Sequence, residues 1–135
     1  MLPEQVYLVR MSWQKVLPIA DQAAELFYSH LFEIAPETRP LFKGDMRAQG
    51  KKLMGMINTV VNGLSELDQF VPMVQELGRR HAGYGVTEVH YRSVAEALMW
   101  TLRQGLGDQF TVEVQTAWRT AYSLLADIMN AEAAK

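Results

Sequence analysis

An all-helical fold is the prediction for these 135 residues, and three observations carry it. Apolar residues recur at spacings of three and four along most of the chain, the period of a helix with one buried face. Strand-like alternation is scarce. Prolines and glycines interrupt the pattern at intervals that suit helices of ordinary length.

Val6, Val9, Trp13 and Val16 mark the first helix, which Pro18 limits by removing an amide donor. Ala20, Ala23, Phe27, Leu31 and Ile34 repeat the stripe up to Pro36. Two prolines and a Gly-Asp pair make residues 36–45 a corner with little room for a long helix. Leu53, Ile57, Val60 and Leu64 form the next stripe, from Met46 to about Leu64. Phe70, Met73, Val74, Leu77 and His81 form another, closed by Gly83 and Gly85. Thr87 and Thr111 stand where N-caps belong, ahead of a helix through Tyr91, Val94, Leu98 and Leu102 and a last one through Val114, Trp118, Ala121, Leu125 and Ile128. With no repeat, low-complexity tract or linker, the expectation is one domain over 1–135 with six or more helices. Their uneven lengths suit a simple up-and-down bundle poorly.

The chain is 49% hydrophobic and 21% charged, with a formal net charge of -2, which excludes disorder and a fibrous architecture. No basic patch suited to a nucleic-acid backbone stands out, and no apolar run is long enough to span a bilayer. The absence of cysteine removes disulfides, thiolate metal sites and cysteine nucleophiles. The N-terminus lacks a basic head followed by an apolar run. A cytoplasmic protein without nucleic-acid or membrane partners is expected.

His81 is the first candidate for chemistry. It follows Val74 by seven residues and Leu77 by four, so it lies on the inward stripe. A neutral imidazole in an apolar cleft supplies one lone pair to a metal and excludes competing charge. On spacing alone, a buried histidine satisfied by a backbone carbonyl is the commoner explanation. His30 and His90 sit off the stripes and read as structural or surface residues. Gln49 and Tyr28 interrupt apolar faces, and buried amides and phenols need hydrogen-bond partners, which a ligand, the backbone or water can provide. Phe42, after the Pro40-Leu41 corner, reads as an aromatic plug.

Phe27-Tyr28-x-x-Leu31-Phe32 followed by Pro36-Glu37-x-Arg39-Pro40-Leu41-Phe42 resembles a segment of bacterial single-domain globins and of the globin half of flavohaemoglobins. Leu77-Gly78-Arg79-Arg80-His81-x-x-x-Gly85-Val86-x-x-x-His90-Tyr91 resembles the segment that holds their haem iron, and Ala117-Trp118-x-x-Ala121-Tyr122 with Leu125-Ala126-Asp127 resembles their last helix. The likeness covers essentially the whole chain in the family's order.

The resemblance implies a globin fold and haem b, with His81 as the iron ligand and Phe42 on the haem face. Tyr28 and Gln49 would be the donors to a bound ligand, with Leu53 beside them. Leu77, Tyr91, Val94 and Tyr122 would line the cofactor site, and Arg80 would pair with a haem propionate. Members usually carry a glutamate near the end of the last helix that joins the histidine and the tyrosine. Ungapped alignment from Trp118 puts Ala133 there, with Glu132 one residue early. The expectation is an incomplete network in which His81 bonds mainly to a backbone carbonyl.

Reversible binding of dioxygen is the first functional expectation, with NO and CO as related ligands. Nitric oxide dioxygenation to nitrate is the second. The sequence shows no flavin or nicotinamide domain, so its electrons would come from a separate reductase. A haem-based gas sensor and a haem-free helical interaction domain complete the alternatives. The oligomeric state is not readable.

Overall fold

Each apolar stripe becomes a helix whose ends fall where a cap, a proline or a glycine stops it. The computed structural model describes residues 1–135 and contains α1 (Pro3–Val16), α2 (Ala20–Ile34), α3 (Met46–Asn62), α4 (Leu67–Gly83), α5 (Glu88–Leu106) and α6 (Val112–Ala133), with no strand. Single 3-10 turns at Leu17–Ile19, Leu64–Glu66 and Gly107–Gln109 join neighbours directly, and a longer one fills Pro36–Leu41. No helix is long and apolar enough to cross a membrane.

The caps follow the chemistry of their residues. Asp45 accepts the Arg47 amide at 3.0 Å to start α3, and Thr111 accepts the Val114 amide at 3.2 Å to start α6. At α5 the Thr87 amide donates instead to Nδ1 of His90 at 3.0 Å, so a histidine occupies the place where a capping box usually carries Glu or Gln. Thr38, buried in the corner, donates to the Ala35 carbonyl at 2.7 Å and closes off the end of α2. Gly107 ends α5 with φ +55°, a conformation open chiefly to glycine.

The helices pair most extensively as α2 with α5 and α4 with α6, while α1 lies along α6 and α3 along α2. The main core runs through Val9, Trp13, Phe27, Leu31, Leu102 and Trp118. Its two indole N–H groups are both paired. Trp13 Nε1 donates to Asn58 at 2.9 Å, and Trp118 Nε1 donates to the Ser12 hydroxyl at 2.8 Å. Leaving either one buried and unpaired would cost about 1–3 kcal/mol. A second, smaller cluster joins Val74, Tyr91 and Met129 where α4, α5 and α6 meet. A Cβ on Gly78 would stand 2.7 Å from the Met129 backbone. Only glycine therefore lets α4 lie this close to α6, three residues before His81.

Candidate functional site

An apolar cavity of about 220 Å³ opens between α3, α4, α5 and α6. His81 is the one lining residue that is not hydrophobic. Leu53, Leu77, Val94, Tyr91 and Tyr122 line it too, together with Phe27, Ile57, Val60, Leu98 and Trp118.

His81 Nδ1 lies 2.7 Å from the Leu77 carbonyl oxygen, one helical turn back. A carbonyl only accepts, so Nδ1 carries the proton and donates, and Nε2 keeps its lone pair. The imidazole is half-buried and its ring centroid lies 6.2 Å from that of Tyr91. The Tyr122 hydroxyl donates to the Tyr91 carbonyl oxygen at 2.7 Å, which ties α6 to α5 behind the imidazole. Burial pushes the Tyr91 phenol above its ordinary range. It does the same to Tyr122, more strongly, and the neighbouring Tyr91 adds to that shift. Both remain neutral hydroxyls across the physiological range.

Tyr28, Phe42 and Gln49 are absent from the cavity lining and gather beside it. The Tyr28 ring meets Phe27 edge-on at 5.0 Å and Phe42 edge-on at 5.2 Å, and Phe32 packs against both Tyr28 and Phe42. Phe27 belongs to this cluster and to the cavity wall. Burial raises the Tyr28 pKa, while hydrogen bonding with the Gln49 amide pulls it the other way. The two polar side chains that interrupt apolar stripes on different helices are therefore neighbours.

Arg80 stands on the surface, 3.4 Å from Glu76, and does not line the cavity. Glu132 pairs with Arg79 and, at 3.1 Å, with Lys135. Lys135 does most to hold its carboxyl below the usual range; burial opposes it, and Arg79 adds to the lowering. Its carboxylate thus bridges the end of α6 to α4, with its side chain largely covered. His30 stacks on Trp100 at 4.1 Å with the rings nearly parallel, and His90 serves as a cap.

Sequence reasoning did not assign Phe27, Met56, Val86 or Trp118 to the site, although all four line the cavity. Phe27 and Trp118 lie on recognised stripes, so their signal was read as core. Met56 falls off the stripes and carried no signal, while Val86 belongs to the Gly85-Val86 resemblance but was given no role.

In its chemistry, the lining suits an apolar cofactor whose metal takes one imidazole nitrogen. The wall is apolar throughout, the one exception is an imidazole, and Nδ1 of that imidazole is already engaged, leaving Nε2 for a metal.

A family model described as Globin matches residues 25–129. The flavohemoprotein of Bacillus subtilis is 26% identical over 84% of this chain, which spans only 30% of that protein. The anaerobic nitrite reductases of Brassica napus and Arabidopsis thaliana are each 31% identical over 96% of this chain, which spans 89% and 91% of them. Among solved structures, an engineered carbene transferase derived from a proposed nitric oxide dioxygenase of Rhodothermus marinus superposes with a TM-score of 0.88. It is 27% identical, and the match covers 99% of this chain and 94% of that one.

Proposed function

The chain belongs to the globin family, and we propose that it holds one haem b through Nε2 of His81 and binds dioxygen or a similar diatomic gas reversibly. The observation that carries this reading is the lone imidazole in an otherwise hydrophobic wall, its Nδ1 held by the Leu77 carbonyl. That bond fixes both the tautomer and the ring plane, as the outer partners of metal-bound histidines do. Haem supplies an iron with an open coordination position and its redox chemistry.

The protein's own residues then divide the work. Leu53, Leu77 and Val94 keep water from the cavity. Tyr91 and Tyr122 brace the imidazole from α5 and α6. Phe42 and its aromatic neighbours pack the opposite side and hold Tyr28. The Tyr28 phenol and the Gln49 amide are the donors to the gas ligand. They favour dioxygen over carbon monoxide, because dioxygen draws more negative charge onto its outer atom. Arg80 is the propionate partner in this reading, exchanging an exposed ion pair with Glu76 that contributes little.

Nitric oxide dioxygenation is the second reading, supported by the likeness to a flavohemoprotein and to a structure derived from a proposed nitric oxide dioxygenase. It would convert nitric oxide and dioxygen to nitrate with an electron from a separate reductase. We take residues 1–135 to act as one globin domain in the cytoplasm, without nucleic-acid or membrane partners.

An absorption spectrum of the purified protein tests the proposal, with a Soret band as the expected result. His81→Ala should lose haem or hold it loosely. It should also melt earlier, since a ligand present at 100 times its Kd stabilises the fold by about 2.7 kcal/mol. His30→Ala and His90→Ala should keep the band. An unchanged Soret band and unchanged iron ligation in His81→Ala would overturn the assignment.

A further inference from the structure

A second, larger hollow of about 860 Å³ lies on the surface between α1, the α3–α4 corner and α6. Leu64 alone lines both it and the inner cavity. The other walls divide between the two spaces. On α1, Val6 and Arg10 face the groove and Val9 faces the cavity, while on α6 Leu124 and Leu125 divide in the same way. Three elements thus meet between the two spaces, and Leu64 is the one residue that reaches both.

The backbone beneath that side chain is fixed. Leu64 begins a 3-10 turn directly after Gly63, and the Phe70 ring fills the space a Cβ on Gly63 would need. Leu64 itself is 6% exposed, so its side chain is packed in at the boundary and not free in the groove. A leucine rotamer change takes far less time than the motion of a helix. The cavity behind it is apolar, and apolar hollows of this kind stay dry and admit small apolar guests such as xenon. Outside, Arg10, Glu66 and Asp68 give the groove a polar rim beside exposed Tyr7 and Met11. Water and ions have charged partners at that rim, whereas the cavity beyond it is hydrophobic except for His81.

We propose that an apolar diatomic gas reaches the inner cavity from this groove, past the Leu64 side chain, which serves as its door. The inference rests on reading the inner cavity as the place of the haem to which the gas must come, and it adds a route and a controlling residue. The rate of gas arrival is then set at Leu64, whereas the residence time of the ligand is set elsewhere.

The test is carbon monoxide rebinding after flash photolysis of the haem-loaded protein. Leu64→Ala should raise the bimolecular association rate several-fold, and Leu64→Trp should lower it. Because the chain has no cysteine, Met11→Cys can be labelled at a single point with a bulky maleimide. That blocks the groove without touching the core and should slow association as well. Should Leu64→Trp fail to fold, the labelled protein decides. Wild-type association rates in the labelled protein and in Leu64→Ala, with normal spectra, would overturn the proposal. Crystals under xenon pressure give a readout independent of haem, with xenon expected on the inner side of Leu64 in wild type and filling that site more slowly when Met11→Cys carries the label. If no Soret band forms at all, the gas-binding reading fails, and xenon occupancy alone decides whether Leu64 is a door.

Discussion

On the His81 side of the molecule the polar side-chain atoms are engaged with backbone. Nδ1 is held by the Leu77 carbonyl, and the Tyr122 hydroxyl is held by the Tyr91 carbonyl. On the Tyr28 side the arrangement is reversed. Four aromatic rings fix one another by three edge contacts and one tilted contact, and the polar groups of Tyr28 and Gln49 have chiefly each other. Carbonyl-bound groups are rigid because a helix backbone does not yield, which suits a nitrogen that must point one way. A phenol placed by ring packing is positioned just as well, yet its O–H stays available. One side is built to hold, the other to respond.

The largest effect expected from that contrast is at Tyr28. Tyr28→Phe keeps the ring contacts and removes the hydroxyl. A hydrogen bond to a charged group contributes about 1.5–3 kcal/mol, so dioxygen dissociation should speed up by roughly tenfold to a hundredfold. Gln49→Leu should act in the same direction and less strongly. Unchanged dissociation in both single variants and in the double variant would erase the distinction between the two sides. Since burial raises the Tyr28 pKa from 10.0, the phenol stays a donor throughout the neutral range. Stopped-flow dissociation rates should be flat up to about pH 10 and climb only above it, where the phenol ionises.

Next in size is Gly78→Ala. The new methyl group would meet the Met129 backbone at 2.7 Å, and a backbone cannot rotate aside as a side chain does. The gain in helix propensity, at most about 1 kcal/mol, is smaller than an overpacking cost of about 1–3 kcal/mol. Denaturant unfolding should show net destabilisation together with altered His81 ligation. Stability equal to wild type would mean that the α4–α6 contact is looser than described.

Tyr122→Phe should cost about 1 kcal/mol in urea unfolding and leave dioxygen dissociation nearly unchanged, because the lost bond braces only the His81 side. A large change in dissociation would show that the two sides communicate. The smallest effect belongs to Glu132→Gln. Its carboxylate faces Lys135 and Arg79, so the iron–histidine stretch in resonance Raman should stay where it is. A clear fall in that frequency would mean Glu132 does reach the imidazole. The carboxyl pKa is lowered in the folded state, so its contribution exists above the ordinary carboxylate range and fades as pH falls below it. Wild type and Glu132→Gln should therefore converge in melting temperature under acid.

The helices were legible in the sequence because their signals are local. Pro18 and Pro36 limit α1 and α2, and Thr87 and Thr111 precede α5 and α6. His81 was legible as an inward residue, and so were the aliphatic stripes that became the cavity wall. What could not be read depends on partners far along the chain or on backbone atoms. Trp118 and Ser12 are 106 residues apart, and no periodicity announces that pairing. The turn of Glu132 toward Arg79, 53 residues away, is likewise decided by how α4 and α6 pack. The door at Leu64 was read as one more core position, since a stripe shows that a side chain is covered but not that it separates two hollows.

The tryptophans carry a consequence for light. Trp118 lines the cavity and Trp13 sits 6.1 Å from it, ring to ring. A chromophore that absorbs in the near ultraviolet and fills that space would drain the emission of both by energy transfer. Trp100 instead stacks on His30 at 4.1 Å and does not line the cavity. The protein therefore carries an internal photometer, two indoles that dim as the cavity fills.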